Sequence, residues 1–419
     1  MSREPLTASL ESVRRLVVTK QHLAGKRPSR FTSESLLSVV RDLGYVQWDP
    51  VSIVAPSHLL TLWARLGEFR PSVLEKLLWH DKTLFEHWTP MASLVLTEDY
   101  PLYLSLMRRY PESLTRSWGN HRERAKKFLA QHSDLRRKIL RELKKGPRSI
   151  GQFEDHHHTK RNEGEWGSAS DVSLMLFHLL MSGDVMVVGH EGNQNLWGLS
   201  DEFLPSWVER TELSEEDAER EAAQRAIRAL GAASPPEITY YFVRGRYDHL
   251  RRTLAQLEDE SAIHRVAVEG LGDRDERYVH HLDVPLLESL RTDRFEPRMS
   301  LVPPFDNLIY SQSRANRLFG FDYVREQFLP KEKRKFGTYV LPIVWGEKLI
   351  GRIDPRLDKA SGTLHVNAVH TEPGAPRERE VAEKIAETVS NLAEFLGASR
   401  VRYNPHVPEA WKRVLLQAP

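Results

Sequence analysis

The chain has 419 residues, 40% hydrophobic and 28% charged, which are globular proportions in a chain too long for one ordinary core, so two to four units are expected. It contains no cysteine, which excludes disulfides, thiolate zinc sites and a cysteine nucleophile. The net charge is only +2 and no run approaches the roughly 18 apolar residues of a membrane span; the N-terminal "MSREPLTASLESVRR" has early charges of both signs and no apolar signal region, so a cytoplasmic, nucleoid-associated protein is expected.

Residues 6 to 26 carry Leu10, Val13, Leu16 and Val17 at helical spacing, and "TSESLLSVVRDLG" predicts a second helix from a Thr or Ser cap to Gly44. After Pro56, "SHLLTLWARLG" predicts a helix closed by Gly67, and "PSVLEKLLWHDKTLFEHW" a further one with Pro71 near its start. Residues 1–118 form the first expected domain.

Residues 119–210 open on "HRERAKKFLAQHSDLRRKILRELKK", a basic helix with ten Lys/Arg against three Asp/Glu, able to face phosphates. A short helix at "SIGQFED", a third at "SASDVSLMLFHLLMSG" and a hairpin at "DVMVVGHEGNQNLWGLS" follow. Three helices and a hairpin describe a winged helix. The same order recurs within residues 211–285, which suggests tandem units. Residues 286–419 alternate short β-rich runs with Gly and Pro turns, as a small β-barrel does, and end in a long helix over about 376 to 396 that should pack on the sheet. The fold class is α+β.

In "GYVQWDPVSIVAPSH", Gln47 and Asp49 interrupt a run where Val or Thr would fill a strand. If 45 to 51 is extended, Tyr45, Gln47, Asp49 and Val51 share one side and Val46 and Trp48 the other, so an amide and a carboxylate lie together. In the other reading Asp49 caps a helical turn with Pro50 at its first position, and Gln47 is exposed. The residues alone favour the cap, although Pro56 limits any such helix to one or two turns.

The strings "RRLVVTKQHLAG", "LGYVQWDPVSIVAPSHLLTLWARLG", "LFEHW", "PPFDNLIYSQSRANRLFGFDY" and "KFGTYVLPIVWGEKLIGRID", in this order and over nearly the whole chain, resemble the bacterial winged-helix DNA glycosylases of the AlkZ/YcaQ group. The resemblance implies three tandem winged-helix units and a C-terminal small β-barrel, C-shaped around a basic DNA channel. It implies excision of N7-alkylguanine and unhooking of interstrand crosslinks, with alkylated or crosslinked double-stranded DNA as the partner. The family signature is Gln, an apolar residue, then Gln or Asp. Gln47, Trp48 and Asp49 resemble the YcaQ-like form of it, which makes Gln47 and Asp49 the implied catalytic pair.

Other residues invite a role. His58 and Arg65, seven apart on one predicted helix, are candidates for contact with phosphate or the lesion, against a partly buried His and an exposed Arg. Lys331, Lys333, Arg334 and Lys335 in "PKEKRKFG" stand just before a strand, where a loop can grip phosphate. Glu86 in "LFEHW" is either an additional acid or an exposed helix residue, and the latter is expected. His156, His157 and His158 are consecutive and lack a spaced fourth ligand, so a solvated loop is expected and no metal site. No P-loop or dinucleotide fingerprint appears; no cofactor, no membrane partner and a monomer are expected.

The main rival is a non-enzymatic winged-helix transcriptional regulator whose third helices read bases. Of those helices, "DVSLMLFHLLMSG" is almost wholly apolar, and only "YDHLRRTLAQLED", with Arg251, Arg252 and Gln256, is equipped to read sequence.

Overall fold

A computed structural model describes residues 4–49, 51–115, 118–153, 170–192, 194–272, 275–292 and 294–417. Pro50 and the His156 to His158 run lie outside the described residues. The chain forms two compact units, neither continuous in sequence: Met1–Val73, Gln224–Ile238 and Ala255–Pro419 make one, and Leu74–Ala223 and Thr239–Leu254 the other. Among the described residues no helix is long and apolar enough to cross a membrane.

In the first unit, the N-terminal stretch is not helical throughout. Leu6–Ala8 is a strand that pairs in parallel with Ile263–Val268, which in turn pairs antiparallel with Arg277–His280. The helix begins only at Leu10, where the Ser9 hydroxyl accepts the Ser12 N–H. The β-branched ladder of the distant strand outweighs the local helical spacing. The next helix, Ser33–Leu43, matches expectation: Thr32 and Ser35 form a reciprocal capping box, and Gly44 ends it at φ 77°, a conformation that disfavours side chains. Helix Ser57–Leu66 is buried at every position except Leu59, so its Thr, His and Arg are interior residues.

The same unit holds a five-stranded sheet in the order Met299–Leu301, Leu341–Trp345, Lys348–Asp358, Thr363–Thr371, Arg400–Tyr403. Its pairs are antiparallel except the last. Register shifts at Ile343/Val344 and Asp354/Pro355 bend it. The first and last strands stay unpaired with each other, so the expected barrel is an open, half-barrel sheet. Helix Arg379–Phe395 packs against both edge strands, burying Val381, Ile385, Val389 and Leu392.

The second unit contains the hairpin Leu84–Trp88/Ala92–Leu96 and a three-stranded sheet ordered Arg148–Ser149, Gln194–Leu199, Val185–Glu191. Helices Tyr100–Arg108, His121–Gln131, Ser133–Leu143 and Asp171–Met181 complete it, around a core that includes Phe128, Ile139, Met175, Leu179, Val187 and Trp197. The expected basic helix is thus two helices broken at His132, where Ser133 and Asp134 favour a new first turn over a helix interior. "PSVLEKLLWHDKTLFEHW" also divides: helical turns end at His80, Lys82 takes φ 54°, and Leu84–Trp88 is a strand. Leu84 and Phe85 prolong the helical spacing by coincidence.

Candidate active site

Only Val46–Gln47 is a regular strand in the opening motif, and Asp49 does not cap a helix. Its carboxylate instead accepts the Val51 N–H at 2.9 Å, while its carbonyl accepts the Ser57 N–H at 3.1 Å, closing the 49–57 loop onto the start of Ser57–Leu66. This is an Asx turn, the other common use of an Asp before proline. Extended backbone therefore leads into a turn that fixes the carboxylate.

Neighbouring chain holds this loop in place. The Tyr45 carbonyl accepts from Asn307 at 3.1 Å, and the Leu357 N–H reaches the Ile53 carbonyl at 3.3 Å. The Trp48 indole lies flat on the His58 ring, with centroids 3.9 Å apart and planes 11° from parallel. Val46 is fully buried, Gln47 and Trp48 are half-buried, and Asp49 is largely buried.

Burial pushes the Asp49 carboxyl above the ordinary aspartate range, against a smaller opposing pull from the Val51 N–H. The buried Tyr339 phenol lies close enough to feel that charge; burial raises its pKa, a smaller opposing pull comes from the Ser57 hydroxyl and a smaller push from Asp49, so it stays protonated near neutral pH. Tyr339 is set by an unusual approach. The Asp354 carboxylate accepts the Thr338 and Tyr339 N–H groups at 2.9 and 3.0 Å. A Cβ on Gly337, which has φ 148°, would stand 2.2 Å from the Asp354 carboxyl carbon. Sequence reasoning missed Tyr339 and Asp354. The glycine in "KFGTY" was the available signal.

Arg65 corrects an expectation. It is buried, donating to both Asp306 carboxylate oxygens at 2.7 and 2.9 Å, to the Thr61 carbonyl at 2.9 Å and to the Gln21 amide oxygen at 3.2 Å. Both ends of this pair are fully withdrawn from solvent, so the guanidinium is committed to the core and not presented to DNA. His58 is likewise 4% exposed, and its ring face is occupied by Trp48.

Lys331, Lys333 and Lys335 are exposed on the loop before Leu341–Trp345, whereas Arg334 is half-buried and donates to the Leu329 carbonyl and the Thr338 hydroxyl. The loop is not loose, because the Glu326 carboxylate accepts the Lys335, Phe336 and Gly337 N–H groups at 2.8 to 3.0 Å. Three lysines thus project from a fixed backbone.

Glu86 is a second correction. It is a buried strand residue 3.0 Å from His190 Nε2, not an exposed helix residue. Its burial follows from the helix-to-strand change at residues 81 to 84. Among the described residues, no three His, Cys, Asp or Glu side chains converge as a metal ion requires.

A family model described as "DNA glycosylase AlkZ-like" matches residues 40–395, a span that includes the Gln47 to Asp49 turn, the Arg65/Asp306 pair and the lysine loop. The chain belongs to the AlkZ-like DNA glycosylases and is a DNA-repair enzyme that acts on DNA. Among solved structures it is similar to the DNA glycosylase AlkZ of Streptomyces sahachiroi, with a TM-score of 0.65 and 16% identity, covering 96% of this chain and all of that one. At that identity the likeness concerns the fold.

Proposed function

We propose that this enzyme is a monofunctional glycosylase that hydrolyses the N-glycosidic bond of N7-alkylguanine, including guanine held in an interstrand crosslink. Alkylation at N7 makes the base cationic, so it leaves C1′ as a neutral group and needs little help from an acid. What remains is to supply a water and to stabilise positive charge on the sugar, the two tasks carboxylates perform in glycoside hydrolysis.

Asp49 takes the proton of the attacking water and places negative charge near C1′. The observation that carries this reading is the largely buried carboxylate with a raised pKa, fixed by the Val51 N–H: burial makes it a stronger base, and the turn spares it an ordering cost. Gln47, donor and acceptor at once, holds the water or the sugar without titrating. Trp48, pressed on His58, stiffens the backbone between the two. No lysine adjoins the pair in sequence, which favours hydrolysis over a lyase step.

The three small helix-and-strand groups are proposed as winged-helix units. The YcaQ-like form of the motif, and a monomer acting on chromosomal duplex, belong to the same reading. Lys331, Lys333 and Lys335 contact backbone phosphate, as their exposure on an anchored loop supports. A crosslinked guanine cannot swing freely out of the duplex, so an open site suits it better than a closed base-flipping pocket.

The test is incubation of the protein with duplexes carrying N7-methylguanine or an N7-linked interstrand crosslink, followed by assay for abasic sites and strand separation. Abasic sites from the first and separated strands from the second are expected. Inertness towards both would remove N7-alkylguanine as the substrate.

A further inference from the structure

The second unit contains a cavity of about 340 Å³ lined by Trp118, Gly119, Asn120, His121, Arg124 and Arg244. Among the described residues no Asp or Glu lines it. Arg244 enters from a turn with two successive left-handed residues, itself at φ 46° and Gly245 at φ 74°. The turn is clamped: the Trp118 indole N–H donates to the Arg244 carbonyl at 2.9 Å, and the Thr115 hydroxyl donates to the Gly245 carbonyl. The Arg244 guanidinium then lies over the Trp118 ring, 4.7 Å from its centroid, and spends one nitrogen on the Pro90 carbonyl at 3.3 Å.

The charge of Arg244 is partly desolvated, with no carboxylate among the described residues to offset it. Arg124, exposed on helix His121–Gln131, adds a second cation. That helix begins at the cavity, and the Asn120 side chain makes no cap bond to its first turn, so backbone N–H groups there are left for an anion. Trp118 is only 9% exposed and its face is covered by Arg244, which leaves no platform on which a base could stack.

We infer that this cavity holds a backbone phosphate of the DNA substrate, with Arg244 and Arg124 as the cationic contacts and the start of helix His121–Gln131 supplying N–H donors. The inference rests on the enzyme's action on DNA and is independent of which base is excised. A rigid guanidinium on an aromatic shelf suits a phosphodiester, whose oxygens accept paired N–H donors.

The test uses the full chain and a lesion-free duplex, with affinity measured by fluorescence anisotropy over a salt series. Arg244→Gln and Arg124→Gln should each flatten the slope of log K against log salt by about 0.9, and the double variant by about 1.8. Arg379→Gln, which removes an exposed charge far from the cavity in sequence and outside the basic 121–145 run, should leave the slope unchanged. Unchanged slopes in both cavity variants, or an equal change in Arg379→Gln, would overturn the inference. If Arg244→Gln fails to fold because the turn is lost, the exposed Arg124→Gln decides. Failure of the Asp49 chemistry leaves these slopes untouched, so the two readings fail separately.

Discussion

Arg65 and Asp306, 241 residues apart in sequence, form a two-pronged ion pair with both side chains fully buried. The next residue, Asn307, holds the Tyr45 carbonyl two residues before Gln47. One short segment, "PFDNL", therefore anchors both the helix after the Gln47 to Asp49 turn and the backbone before it.

Removing one partner strands a charge in the core. Asp306→Ala should cost about 3 to 5 kcal/mol, read as a loss of stability in chemical denaturation. Replacing the pair together, Arg65→Met with Asp306→Leu, should recover most of that loss. A single substitution costing under about 1 kcal/mol would show that the pair is solvated after all.

Gly337 admits the Asp354 carboxylate beneath the 337–339 backbone, which in turn fixes Tyr339 beside Asp49. Gly337→Ala should lower stability by about 1 to 3 kcal/mol and reduce excision, because the added methyl displaces Asp354 at a backbone angle that disfavours alanine. Thermal denaturation beside an excision assay checks it; parent-like values in both would detach this backbone from the site.

Asp49 titrates above the ordinary carboxylate because burial disfavours its charge. Between the unfolded value of about 3.9 and the raised folded one, the folded chain binds more protons than the unfolded. Stability from this group thus falls as pH rises through that window and stays lower above it. Asp49→Asn removes the penalty and should be at least as stable as the parent at pH 7. In the parent, the acid limb of kcat/KM should have its midpoint above the ordinary aspartate value. A limb at or below about 3.9, or an Asn variant that melts lower, would contradict this.

His58 is stacked on Trp48, between the two residues of the proposed pair. His58→Ala removes a stacked pair of a kind worth about 0.5 to 1.5 kcal/mol, so excision should slow by roughly 2- to 10-fold with DNA affinity retained. Single-turnover kinetics measure it. A fall as deep as that of Asp49→Asn would make His58 a participant in the chemistry.

The short-range elements were largely legible in the sequence. Caps and positive-φ glycines announced Ser33–Leu43, and a Gly/Asn turn announced the Val185–Glu191 hairpin. Long-range pairing was not legible: Leu6–Ala8 became a strand because of residues some 260 positions away, and Arg65 read as a surface cation because Asp306, its buried partner, lies in another segment. The site was half legible. Gln47 and Asp49 stood out by chemical misfit in an apolar run, but the Asx turn that sets Asp49 uses a backbone N–H no side-chain pattern reports, and Tyr339 reaches it only through the folded sheet.

Single-turnover excision of N7-methylguanine by Asp49→Asn, with binding to the same duplex measured alongside, tests the chemistry most directly. Loss of a positioned general base should slow excision by about 10²- to 10⁴-fold while duplex affinity stays within a few-fold of the parent. Equal excision rates for variant and parent would remove Asp49 from the reaction.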